Sequence, residues 1–231
     1  MNLEDRLAQV REEYIRRIAT ASDGSLLLNV QQYVTAHTGK MLRPRMLLLA
    51  ANTLGETVFN SRRTLHLATC VEMLHNASLL HDDIIDHSDQ RRSQPSVNAK
   101  YGNGVAVLAG DYLLAQIMHL LNEVNDSEAS KMINRTVMDM VESELLAQEL
   151  EINHRELTQE LYLRIIDGKT ASLFATAAAL GNSAYRDYGL HYGRLFQLLD
   201  DQQDGEDNRF TAQLIDSERE ILASLPQLPM Q

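Results

Sequence analysis

Apolar residues recur at spacings of three and four along almost the whole chain, the period of an amphipathic helix. The pattern predicts helices at roughly 2–20, 27–37, 41–54, 61–88, 104–123, 126–151, 157–182, 186–207 and 211–224. Breaks fall at Gly39, at Gly55, in the segment RRSQPS, from Gly102 to Gly104, and at Gly181. Strand signals are almost absent, and the four prolines stand at positions 44, 95, 226 and 229. No stretch has the composition of a linker. The expectation is one all-α domain over 1–231, a helical bundle whose functional groups face inward around a central cavity.

Polar residues interrupt this pattern most sharply at two helix ends. Asp82, Asp83 and Asp86 stand in LLHDDIIDHSDQRRSQPS, and Asp200, Asp201 and Asp204 in FQLLDDQQD. Both clusters read D-D-x-x-D, and residues four apart share a helix face. Crowded carboxylates at helix C-termini oppose the dipole and one another. Divalent cations relieve that repulsion, and Mg²⁺ is typically held by a few carboxylates plus substrate phosphates. Below the first cluster a stripe runs through His75, Ser78, Asp82 and Asp86; in the second helix Gln197, Asp201 and Asp204 share one. Cations complete the set. Lys40 and Arg43 in GKMLRP open a helix, where backbone N–H groups favour phosphate. Arg91 and Arg92 follow the first cluster, and Lys169 and Thr170 follow Gly168. Such a site suits a substrate with a hydrocarbon tail and a diphosphate head.

Composition narrows the classes. The formal charge of −11 argues against a nucleic-acid partner, since phosphate-backbone binding needs a basic face. Cys70 is the one cysteine, which fits a reducing compartment. The charged start MNLEDRLAQVREEYIRR is not a signal peptide, and no apolar run is read as reaching membrane-spanning length. A cytoplasmic protein with no transmembrane segment is expected.

Five segments, GKMLRP, HNASLLHDDIIDHSDQRRSQPS, GNGVAVLAGDYLLAQ, GKTASLF and GRLFQLLDDQQD, resemble the trans-isoprenyl diphosphate synthases (polyprenyl synthetases) in order and spacing, over about 39–204. The resemblance implies an isoprenoid-synthase-type bundle and head-to-tail condensation of an allylic diphosphate with isopentenyl diphosphate. It implies three Mg²⁺ held on the allylic diphosphate by Asp82, Asp83, Asp86, Asp200, Asp201 and Asp204, with Asp82, Asp86 and Asp200 as the leading ligands. Arg91 and Lys169 would grip the allylic diphosphate. Gly39, Lys40, Arg43, His75 and Arg92 would hold isopentenyl diphosphate. Lys169, Thr170 and Gln197 would stabilise the developing allylic cation. Ala77 and Ser78 stand where the family floors its pocket; both are small, which favours a product longer than farnesyl.

The chain departs from the family in two places. Ser93 replaces the glycine of RRGxP, which is tolerable if its φ is negative. After Asp204 the family's lysine-bearing loop and following helices are shortened to GEDNRFTAQLIDSEREILASLPQLPMQ, with Arg209 as a candidate replacement cation. An apolar patch left over 186–207 would be covered by a homodimer or a partner subunit. A non-catalytic or regulatory subunit of a heteromeric synthase is therefore the alternative reading. A cyclase is disfavoured by the isopentenyl set. A di-iron reading of Glu72-x-x-His75 and Glu151-x-x-His154 leaves both Asp clusters unexplained.

Overall fold

The computed structural model describes residues 1–19, 25–36, 39–205 and 208–229. The predicted helix ends at 20, 37 and 206–207 lie outside them. The order is α1 (Leu3–Ile18), α2 (Leu26–Ala36), α3 (Leu42–Asn52), α4 (Glu56–Phe59), α5 (Arg62–Ile85), β1 (Gln90–Arg91), β2 (Gln94–Pro95), α6 (Val97–Tyr101), α7 (Asn103–Val124), α8 (Ser127–Ile152), α9 (Gln159–Ile166), a π-helical turn (Asp167–Ala171), α10 (Ser172–Gly181), a 3₁₀ turn (Ser183–Tyr185), α11 (Arg186–Asp204) and α12 (Thr211–Ser224). The all-α expectation holds, with one miniature hairpin added. Two compact units emerge: one of Met1–Arg45 with Asn60–Asp126, the other of Met46–Phe59 with Ser127–Gln231.

In the first unit, α1 begins with a capping box: the Asn2 side chain accepts from the Asp5 N–H at 2.8 Å while Asp5 reaches back to the Asn2 N–H. Ser61 caps α5 through the Thr64 N–H. The core gathers Tyr14, Leu67, Met73, Leu113 and Leu120, all nearly inaccessible. Gly110 lets α7 approach α5, because a Cβ there would lie 2.2 Å from His81 Nε2. α7 also corrects the membrane reading: its 22 residues are long and apolar enough to cross a membrane. Asp111 and Glu123 interrupt the run and hid it in the sequence. Its Ala106, Ala109, Leu113 and Ile117 face is buried within the unit.

α5 stops three residues before its predicted end. Asp86 has ψ near 0° and His87 has φ +52°, which turns the chain into the β1–β2 hairpin. The pairing of Arg91 with Gln94 leaves a two-residue loop of Arg92 and Ser93, with φ +53° and +61°. Two positive φ values are the mark of a type I′ turn. The condition set for Ser93 is therefore not met: its φ is positive, in the left-handed region that a family glycine occupies without strain.

In the second unit, α10 and α11 lie against each other on Gly189 and Gly193. Cβ atoms there would fall 2.5 Å from Phe174 O and 2.6 Å from Ala171 Cα. The single helix expected over 157–182 is divided by the π-turn. Gly168 sits at its heart, where a Cβ would meet Ser143 Cβ at 2.5 Å and Asp139 O at 2.6 Å. α12 then closes an apolar cluster of Tyr162, Ile166, Leu198, Leu214 and Ile215.

Candidate active site

The predicted site residues divide between the units. Asp82, Asp83, Asp86, Gly39, Lys40, Arg43, His75, Ala77, Ser78, Arg91 and Arg92 belong to the first, and Lys169, Thr170, Gln197, Asp200, Asp201 and Asp204 to the second.

In the first unit the two-residue turn throws Arg92 back toward Gly39. A Cβ on Gly39 would stand 2.7 Å from Arg92 Nη2, so only glycine leaves room for that guanidinium. Arg43 Nη1 lies 3.2 Å from His75 Nε2. Burial, then the charges of Arg43, Arg92 and Arg91, hold His75 well below its ordinary pKa, so it is neutral at pH 7. Nε2 therefore accepts from Arg43, and the proton resides on Nδ1. One turn down, Glu72 is 1% exposed. Its Oε1 accepts from Asn76 Nδ2 at 3.3 Å, and Oε2 has no protein partner. Burial raises its pKa, and Arg43 and Arg92 pull it back down. Glu72 thus belongs to the arginine cluster. The second half of the di-iron pattern fails: Glu151 and His154 are exposed, and no group of three metal-binding side chains occurs among the described residues. Ser78 lies on the half-open stripe with His75 and Asp82, its Oγ bonded to His75 O at 3.0 Å. Ala77 is buried in the unit's own core. Lys40 is exposed.

The three aspartates of the first motif are not equivalent. Asp83 is 3% exposed and takes Arg91 on Oδ1, with Nε at 2.9 Å. Asn98 and Ser88 bond its carbonyl at 3.1 and 2.9 Å. Asp82 is half-buried and Asp86 exposed.

The second motif repeats this division. Asp201 is 9% exposed: Oδ2 accepts from the Tyr162 hydroxyl and Oδ1 from Gln197 Nε2 at 2.6 Å. Gln197 Oε1 in turn accepts from Thr170 Oγ1 at 2.6 Å. Asp200 and Asp204 are exposed at the C-terminal end of α11, just before Gly205 with φ +74°. Lys169 Nζ stands 2.9 Å from Glu144 Oε2. Below it, Arg194 clamps Asp167 of the π-turn through Nε at 2.5 Å and Nη2 at 2.7 Å. The same Arg194 reaches Glu218 of α12 at 3.4 Å, and His191 lies 2.5 Å from that carboxylate. π-turns inside helices often mark functional sites, and this one carries Lys169 and Thr170. Arg209 is engaged by Glu156 at 2.8 Å and lies over the Phe210 ring.

Sequence reading missed Tyr162, Glu72 as a partner of arginines, and the Arg194–Glu218 brace. Tyr162 sits in an apolar stretch and reads as core, and ion pairs between distant segments leave no local pattern. A cleft of about 540 Å³ in the second unit, lined by Lys131, Arg135, Arg164 and Arg186 among others, contains none of the predicted residues.

A carboxylate-rich helix end in each unit, on an all-α scaffold, fits the isoprenoid-synthase-type bundle expected from the sequence. Family comparison agrees: the polyprenyl synthetase model matches residues 25–212, and the chain belongs to that family. It is 36% identical over 213 residues to an all-trans-nonaprenyl-diphosphate synthase (geranyl-diphosphate specific) of Rhodobacter capsulatus, covering 86% of this chain and 64% of that protein. A polyprenyl synthase of Caulobacter crescentus, crystallised with calcium and isoprenyl diphosphate, superposes with TM-score 0.78 at 35% identity, over 86% of this chain and 62% of that one. An isoprenoid synthase family member of Thermotoga neapolitana superposes with TM-score 0.84 at 26% identity, over 95% and 91% of the two chains. The chain thus spans under two thirds of the curated relative's length.

Proposed function

We propose that this chain is a Mg²⁺-dependent prenyltransferase that condenses an allylic diphosphate with isopentenyl diphosphate head to tail. The observation that carries the reading is the first-unit cluster of Arg43, neutral His75 and Arg92 against Gly39, a cation set for a second diphosphate that a cyclase has no use for. The carboxylates of Asp82, Asp86, Asp200 and Asp204 are hard oxygen donors that fit Mg²⁺ bound jointly with phosphate. Bound Mg²⁺, three ions by the family resemblance, would neutralise the departing diphosphate. Lys169 and Arg91 add cationic charge for the allylic diphosphate. Lys40, Arg43 and Arg92 bind isopentenyl diphosphate. Gln197 and Thr170 present oxygen dipoles to the allylic cation, which the isopentenyl double bond attacks; released diphosphate takes the proton.

Ser78, small and on the open stripe, favours a product longer than farnesyl, and Ser78→Phe is expected to shorten it. The chain acts in the cytoplasm as a homodimer. The face for the second copy is the exposed stripe Met138, Val141, Leu145 and Ile152 on α8, where sequence reading had put the apolar patch on 186–207. In α11 itself, α12 covers Leu198, and Leu199 is 39% exposed.

The test is incorporation of labelled isopentenyl diphosphate by purified protein with Mg²⁺ and C5, C10, C15 or C20 allylic primers. Elongated products support the reading. Folded protein that incorporates nothing with any primer would turn it toward the alternative, a subunit that requires a partner.

A further inference from the structure

Tyr162 has no place in the resemblance or in the sequence motifs, yet it ends a continuous relay. Its hydroxyl donates to Asp201 Oδ2, Asp201 Oδ1 accepts from Gln197 Nε2, and Gln197 Oε1 accepts from Thr170 Oγ1. An amide can present its oxygen or its nitrogen to Thr170. Nε2 donates to Asp201 Oδ1 at 2.6 Å, which leaves Oε1 to accept from Thr170 Oγ1 at 2.6 Å. Asp201 stays in place because its other oxygen is tied to the phenol. The phenol is itself held. Tyr162 is 6% exposed in the cluster with Ile166, Leu198, Leu214 and Ile215, and the side chains of Asn208 and Thr211 come to the same oxygen. Asn208 and Thr211 are fixed in turn: the Asn208 N–H donates to Thr211 Oγ1 at 3.0 Å, and the Phe210 N–H to Asn208 Oδ1 at 3.0 Å.

We propose that Tyr162 is a positioning residue: braced by the Asn208–Thr211 segment and α12, it acts through Asp201 to hold Gln197 and Thr170 in one orientation. The kinetic part of this proposal rests on the prenyl-transfer reading; the structural part does not. It separates two duties within the second motif. Asp201 is buried and bonded within the relay, while Asp200 and Asp204 are exposed.

Tyr162→Phe keeps the ring in its apolar nest and removes the hydroxyl alone. The first measurement is hydrogen exchange of the Gln197 side-chain amide in ¹⁵N-labelled full chain, its resonance pair identified as the one missing from Gln197→Leu. Exchange at least about tenfold faster in Tyr162→Phe is expected, because freeing one end of a hydrogen-bonded network loosens the rest. Unchanged exchange would overturn the proposal whether or not the chain is active. The second measurement is steady-state kinetics. A kcat lower by about ten- to a hundredfold is expected, with KM for both diphosphates and the Mg²⁺ concentration for half-maximal rate within about twofold. Asp201→Asn should match it, and the double variant should be no worse than either alone. A raised Mg²⁺ requirement with kcat preserved would assign the pair to metal binding and overturn the proposal. A wild-type chain that incorporates nothing would sink the prenyl-transfer reading, and the amide measurement would still decide whether Tyr162 positions Gln197.

Discussion

The two D-D-x-x-D motifs are alike in sequence and alike in how they divide their labour, but they differ in what they anchor. In each, the middle aspartate is buried and bonded to protein partners, while the outer two are more exposed to solvent. Asp83 takes a guanidinium, that of Arg91, and with it pins the hairpin that carries Arg92. Asp201 takes neutral donors, Tyr162 and Gln197, and pins an amide beside Thr170. The same local pattern thus secures a cation-bearing turn in one unit and a dipole relay in the other. Three carboxylates on one helix end cannot all remain ionised and unpaired without cost. Internal pairing of the middle one relieves part of that repulsion, and the outer two share one helix face at i, i+4.

The largest effect should come from the outer carboxylates of each motif. Asp82→Ala and Asp200→Ala are each expected to lower Mg²⁺-dependent incorporation by on the order of a thousandfold or more, with little change in melting temperature. Wild-type rates in either would break the division between outer and middle positions.

The middle positions should then part company. Asp83→Asn leaves Arg91 facing a neutral group in a partly buried place. Removing one partner of a buried pair is costly, but the Arg91 side chain is 38% exposed, so solvent recovers part of the loss. A stability loss of about 2 kcal/mol is expected, or about 4–8 °C in Tm for a chain of this size. Asp201→Asn can keep both its partners in altered form and should cost less than half of that in stability, while losing turnover. Calorimetry beside kinetics reads both. If Asp201→Asn is the one that melts early, the relay is a scaffold and not a positioning device.

Most of the fold was legible in the sequence, and the reason is periodicity. Nine amphipathic runs gave the long helices to within a few residues, because a helix writes its face into local spacing. What stayed hidden depends on neighbours far along the chain. The π-turn at Asp167–Ala171 seats Gly168 against Ser143 and the Asp139 carbonyl, where a Cβ would not fit, and no window around 168 shows those neighbours. The short helices Glu56–Phe59 and Val97–Tyr101 are too brief to carry a period. In the site, the charged residues were found because acids at helix C-termini are out of place. Tyr162 and Glu72 were passed over because an aromatic or a lone acid in a helical run is unremarkable until its partners are known.

Glu72 sharpens the contrast from the first unit's side. Its folded pKa is raised, so the stability it contributes is fully present below its unfolded value of about 4.5 and is lost as pH rises through the folded value. His75 runs oppositely. Its folded pKa is lowered, so its contribution is present above about 6.5 and is lost as pH falls toward the folded value. Glu72→Gln is therefore expected to melt higher than wild type at pH 7, with the gap closing toward pH 4.5. A variant that melts lower at pH 7 would mean that the Arg43 and Arg92 charges outweigh burial, and that Glu72 is a net stabilising counter-ion.

The smallest effect tests the turn that Asp83 anchors. Ser93 has φ +61°, and an L-residue there costs about 1 kcal/mol over glycine in the folded state. Glycine returns part of this through the greater freedom it loses on folding. Ser93→Gly should therefore stabilise by about 0.5 kcal/mol, or about 1–2 °C in Tm, a shift that differential calorimetry resolves. Arg92, at φ +53°, bears the same strain but cannot be relieved without losing its guanidinium. The hairpin thus holds strain at two adjacent positions, one of which is needed for its side chain and one of which is not. A Tm that falls in Ser93→Gly would show that the turn relies on serine's stiffness to aim Arg92, and the KM for isopentenyl diphosphate should then rise with it.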